Sequence, residues 1–196
     1  RLEDLDINKI HFVVEEACEG LSGVSSSQIE MNANIQFYDG MTTKDIQNVL
    51  VRSANDLISL ESPNYQYAAA RLLSYDVRKE AHGQYEYIPL LKLILRNIRS
   101  GVYDKGILEK YTKTEIKKFN TWIKRERDLK FTYAGLRQIC DKYLVQDRSS
   151  GQIYETPQDM YMMIAATLFA DYPTKTRMNY VKKYYDAISQ HKINIP

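Results

Sequence analysis

The chain has 196 residues, enough for one sizeable core or two small ones. Its 44% hydrophobic and 27% charged residues with a net charge of +2 are ordinary for a globular protein. There is no apolar run near the ~20 residues that span a bilayer and no basic-then-apolar leader, so a cytoplasmic protein with no membrane partner is expected.

In chain order, Ile10, Val13, Val14, Ala17 and Leu21 recur at helical spacing, with Asn8 or Asp6 available as N-cap and Gly20 near the end. A second helix is predicted after Ser25-Ser26-Ser27, carrying Ile29, Ile35 and Phe37 before a turn at Asp39-Gly40. Thr42 followed by Asp45 reads as a capping pair, and Ile46, Val49, Leu50, Leu57 and Ile58 keep one apolar face on a third helix. Ser62-Pro63 reads as the start of a fourth, with Ala68, Ala69, Leu72, Leu73 and Val77 inward and Gly83 closing it.

The pattern restarts at Pro89 with Leu90, Leu93, Ile94 and Ile98, closed by Gly101; Thr112 or Thr114 then caps a helix through Trp122, and another covers Phe131 to Tyr143. Tyr143-Leu144-Val145 and Ile153-Tyr154 flank the polar run 147–151, which predicts a β-hairpin. Thr156-Pro157 opens a strongly apolar helix, and Thr174 opens the last. The fold class expected is mainly α: a four-helix unit over 1–85, then a helical unit with one β-hairpin over 86–196.

Charge is uneven: residues 1–62 carry eleven acids against four bases, and residues 96–130 eleven bases against five acids. This asymmetry suits two units in different electrostatic surroundings. The basic stretch interleaves Tyr103, Tyr111, Phe119, Trp122 and Phe131 with lysines, but the aromatics fall at core spacing and the overall charge is near neutral, which disfavours nucleic acid as a partner.

Cys18 and Cys140 lie far apart outside any CxxC or Cys/His cluster, so reduced, buried thiols are expected rather than a disulfide framework or a metal site. His11, His82 and His191 are scattered and read as surface or capping residues. No Gly-rich phosphate loop and no Ser/His/Asp set is present, so no catalytic residue is assigned. The start at Arg1 without Met, and the stop at Ile195-Pro196 directly after a helical pattern, suggest part of a longer chain.

Six collinear stretches carry a family resemblance: IQFYDGMTTKDIQ (35–47), PNYQYAAARL (63–72), RKEAHGQYE (78–86), RDLKFTYAGLRQICDKYLVQ (127–146), GQIYETPQDMYMMIAA (151–166) and RMNYVKKYYDAISQHKINIP (177–196). Together they resemble the N-terminal portion of class I ribonucleotide reductase large subunits. The resemblance implies an ATP cone over 1–85, a helical module at which ATP acts as allosteric effector. The start of the catalytic domain would follow over 86–196.

By the same resemblance, Glu3, Asp4, Leu5, Asp6, Ile7, Asn8 and Lys9 line the nucleotide, Thr43 and Gln47 sit on the third helix, and Lys79 is the phosphate-facing lysine of the fourth. The family's opening hairpin with its Lys/Arg-Asp-Gly turn would precede Arg1. Asp6 replaces a common asparagine and Gln47 a common histidine. Both changes lower the attraction for a polyphosphate and disfavour dATP inhibition.

The family's partners are a radical-bearing small subunit, the rest of the large subunit and a second large subunit as homodimer. Its chemistry is radical reduction of ribonucleoside diphosphates with a cysteine pair, which Cys18 and Cys140 do not match. The alternative is a stand-alone nucleotide-binding regulator or split-gene subunit, for which the stretches beyond residue 86 would be unnecessary.

Overall fold

The computed structural model describes residues 4–193, and they are mainly helical. No helix among them is long and apolar enough to cross a membrane. The chain divides into two compact units, one of residues 4–76 and 129–138, the other of 77–128 and 139–193. The division falls inside the fourth helix.

In the first unit, α1 (Ile7–Cys18) begins at Asp6, whose Oδ1 accepts from the amides of Asn8 at 3.1 Å and Lys9 at 3.4 Å. It buries Ile10, Val14 and Ala17, one stripe at helical spacing. α2 (Ser26–Asn34) is capped by Ser25 and buries Ile29 and Ala33; it ends before Ile35, which is 82% exposed instead of facing inward as the pattern suggests.

α3 (Thr43–Asp56) is capped by Thr42 and buries Val49, Leu50 and Ala54, but stops before Leu57 and Ile58. α1 packs on α2, and α2 on α3. α4 (Tyr65–His82) begins two residues after Pro63, and its small residues Ala68 and Ala69 are fully buried. Arg71 donates from Nη1 to the carbonyls of Ala17 at 3.2 Å and Glu19 at 2.6 Å, so a cation of α4 closes the C-terminus of α1. Tyr65 Oη accepts from Ser25 N and donates to Gln28 Oε1, which fixes α4 to the start of α2.

The second unit takes the end of α4, then α5 (Leu90–Arg99), α6 (Gly106–Lys110) and α7 (Lys113–Trp122). A 3₁₀ helix over Arg125–Lys130 and α8 (Tyr133–Lys142), of which 129–138 belongs to the first unit, are followed in the second by α9 (Pro157–Leu168) and α10 (Thr174–Ile188). α5 packs on α7, α9 on α10, and α10 on α7. Thr112, not Thr114, caps α7, in a reciprocal box with Glu115. The short α6 and the 3₁₀ helix have no counterpart in the sequence pattern, since five or six residues are too few to show a period.

Where a β-hairpin was expected, the structure has an isolated antiparallel bridge between Gln146 and Ile153. Asp147 N donates to Gln152 O and Tyr154 N to Val145 O, one bond from each facing pair. The return donors are taken locally: Val145 N goes to Glu155 Oε1 at 2.9 Å and Gln152 N to Ser150 Oγ at 3.3 Å. Side-chain acceptors have displaced the ladder, so no strand develops.

Candidate functional site

The residues expected to line a nucleotide begin with a single turn at the start of α1. Glu3 lies outside the described residues; Asp4, Leu5, Asp6, Ile7, Asn8 and Lys9 are all exposed. Leu5 is 46% and Ile7 66% exposed, an apolar surface beside charged groups. Lys9 Nζ stands 3.6 Å from Asp6 Oδ2, a solvated pair that holds the ammonium only weakly.

Thr43 is exposed at the first position of α3, whose end is already capped by Thr42: Thr42 Oγ1 accepts from Asp45 N at 3.1 Å and donates to Asp45 Oδ2 at 2.6 Å. Gln47, one turn on, is half-buried and donates from Nε2 to Leu72 O at 2.7 Å, which ties α3 to α4. Lys79 is exposed on the part of α4 that belongs to the second unit. Cys18 is half-buried with its thiol pushed up to about 11 by burial, and Cys140 is buried; the two are not joined in a disulfide. Among the described residues no group of three or more His, Cys, Asp or Glu is placed to hold a metal ion.

The second unit contains a buried ionisable cluster centred on α9. Asp159, fully buried, accepts at Oδ1 from Arg125 Nη2 at 2.6 Å and at Oδ2 from Thr156 Oγ1 at 2.6 Å. His82, also buried rather than on the surface, accepts at Nδ1 from Ile88 N at 3.3 Å and places Nε2 3.2 Å from Asp159 Oδ2, close enough for an ion pair but outside hydrogen-bond geometry. Burial opposes ionisation of Asp159, but Arg125 and His82 outweigh it and hold the carboxyl below its ordinary range. Arg125 also lies over the Tyr87 ring, 4.3 Å from its centroid.

Asp128 is the opposite case. Its Oδ1 accepts from Gln158 Nε2 at 2.8 Å, while Oδ2 is buried without a partner. Burial pushes this carboxyl up to about 7, against the pull of Gln158 and Arg125. Gln158 Oε1 in turn accepts from Tyr185 Oη at 2.7 Å, which accepts from Lys124 N at 2.7 Å. Glu155, bonded by the Tyr103 hydroxyl and Val145 N, is likewise raised to about 7 by burial.

The periodicity of α9 conceals this cluster, because Gln158 and Asp159 are polar residues on a helix otherwise apolar all round. The signal available was the Thr-x-x-Asp of Thr156 and Asp159, which marks a reciprocal cap and hence a constrained carboxylate. The arrangement positions elements of the second unit around a fixed polar centre; it presents no nucleophile next to a base.

Comparison with known proteins assigns two stretches of the sequence to described domains. The family model described as the ATP cone domain matches residues 1–80, and that described as the ribonucleotide reductase all-alpha domain matches residues 129–196. The chain is 46% identical over 194 residues to ribonucleoside-diphosphate reductase 1 subunit alpha of Escherichia coli (strain K12), covering 99% of this chain and 26% of that protein.

It is 42% identical over 196 residues to the subunit alpha of Enterobacteria phage T4, again 99% and 26%, and 38% identical over 168 residues to that of Helicobacter pylori, 86% and 21%. The chain thus spans about a quarter of the length of the curated relatives it matches. An ATP-cone domain followed by the reductase all-alpha domain, collinear with these subunits over its length, places the chain in the ribonucleoside-diphosphate reductase alpha-subunit family, as a counterpart of the N-terminal portion.

Proposed function

We propose that the chain is the effector-sensing N-terminal portion of a cytoplasmic ribonucleotide reductase large subunit. ATP binds the first unit, and the second supports radical-based reduction of ribonucleoside diphosphates by the complete subunit. Its partners in that reading are the remainder of the large subunit, a radical-bearing small subunit and a second large subunit in a homodimer. The observation that carries this is the order of the two matched domains, cone first and reductase all-alpha domain second. A stand-alone regulator would have no use for the second.

The surface at the start of α1 fits a nucleotide in kind. Exposed Leu5 and Ile7 offer apolar area for a base, and Lys9 offers a cation for phosphate. Asp6 opposes it, by consuming two helix N–H groups and pairing with Lys9. Thr43 and the neutral amide of Gln47 complete the set on α3, and Glu3, Asp4 and Asn8 are assigned by resemblance, as is Lys79. With no imidazole at position 47 and an acid at position 6, ATP rather than dATP is the effector.

Calorimetric titration of ATP into this chain, or any longer form that contains it, tests the assignment. Lys9→Ala and Lys79→Ala should each weaken binding about 10- to 100-fold, the equivalent of one charge-assisted contact of ~1.5–3 kcal/mol. Asp6→Asn should strengthen it, since asparagine still caps α1 but carries no charge. Affinity indifferent to both lysine substitutions overturns the site; absence of ATP binding in every form overturns the effector role.

A further inference from the structure

We propose that the groove between α5 and α7 in the second unit is a docking surface for an acidic amphipathic helix of a partner protein. α5, LLKLILRNIR, contains no acid, and it is apolar on two sides. Leu90, Leu93 and Ile94 face the core, while Leu91 and Leu95 line the groove, Leu95 with 37% of its surface exposed. A helix that only covers a core carries polar residues on its outer side. Here the outer side continues with Pro89 into an open apolar floor about 760 Å³ in volume.

The rim is of one sign. Lys92 and Arg99 on α5 and Lys117 on α7 border the floor, no carboxylate lines it, and none of the three forms an ion pair with a described residue. Elsewhere in the same unit some cations have found acids: Lys110 pairs with Asp171, Lys182 and Arg127 with Asp186, and the buried Arg177 with Glu115. Arg96, also at the groove, is turned to the carbonyl of Ala81 and to Asn97 Oδ1, so it shapes the wall rather than the rim.

Spacing selects the occupant. Lys92 and Arg99 are seven residues apart, about 10 Å along the helix axis, and Leu91 and Leu95 are one turn apart beside them. Cations strung along two turns next to an apolar strip complement a helix with leucines on one face and glutamates flanking it. A phosphate group would require the cations to converge on one point.

The test uses a fluorescein-labelled helical peptide of about 18 residues, with leucine at i, i+3, i+4 and i+7 and glutamate on both flanks, titrated by anisotropy against the full 196-residue chain. Binding is expected, weakening as salt rises. The double substitution Lys92→Glu with Arg99→Glu should lower affinity at least about tenfold and should create binding for the same peptide with lysine in place of glutamate. Both positions are exposed, and an unchanged far-UV spectrum would show that the variant is folded.

Leu95→Gln should weaken binding as well. Equal binding of a scrambled peptide, indifference to the charge reversal, or no binding at all overturns the proposal. Displacement of the peptide by tripolyphosphate at stoichiometric concentration overturns it in favour of a small-anion site.

Discussion

Asp128 and Asp159 share complete burial and differ in what faces them, so they depend on pH in opposite ways. Asp159 meets Arg125, His82 and Thr156 and is held below its ordinary 3.8; the stability it contributes is present above that value and is lost as the pH falls through the lower, folded value. Asp159→Ala leaves the Arg125 guanidinium without its acid, and a loss of about 3–5 kcal/mol is expected in urea denaturation at neutral pH. A loss below ~1 kcal/mol would mean that water already solvates Arg125.

Asp128 is raised to about 7, so the folded chain holds a proton that the unfolded chain releases near 3.8, and stability declines as pH rises across that interval. Asp128→Asn preserves an acceptor for Gln158 and removes the charge. It should raise the urea midpoint most at pH 8, less at pH 5 and hardly at all at pH 3; an equal gain at every pH would point to packing instead. None of these residues stood out in the sequence. Burial of a polar side chain is set by which helices cover it, and no periodicity records that.

At the scale of elements, local signals did well where a side chain meets its own backbone. The cap at Thr42 was legible outright, those at Asp6 and Thr112 as one of two candidates each, and that at Ser25 as part of a serine cluster, because a capping residue acts within three or four positions. Thr112 shows the strength of such a device. Glu115, its reciprocal partner, also takes both Nη2 contacts of Arg177 at 2.7 and 2.9 Å, joining α7 to α10.

Thr112→Ala should cost about 1 kcal/mol and Glu115→Ala more, since the latter also strips Arg177 of its acid; equal losses would show that the tie to α10 contributes nothing. The helix ends were less legible: Ile35, Leu57 and Ile58 continue the apolar pattern past the true ends of α2 and α3. The hairpin expected at 143–154 shrank to one bridge, because Glu155 and Ser150 compete for donors that a ladder needs.

For the whole molecule, the proposed role separates effector sensing from chemistry. Cys18 has a thiol raised to about 11 by burial, so it is not poised as a thiolate, and Cys140 is buried. No turnover of ribonucleoside diphosphates is expected from the 196-residue chain even with a small subunit and a thiol reductant; turnover abolished by Cys140→Ser would place chemistry here after all. In the native chain both thiols should react with a disulfide reagent far more slowly than in urea. By itself the sequence determined the helical class, several of the helix starts and the family, because apolar period, capping chemistry and collinear motifs are all one-dimensional properties. The tertiary structure decided where the units divide, within α4. It also decided that His82, Gln158 and Asp159 are buried partners, and that Leu91 and Leu95 border an open cationic groove. Those outcomes depend on which faces of distant segments meet, and a residue's own neighbours in sequence carry no record of them.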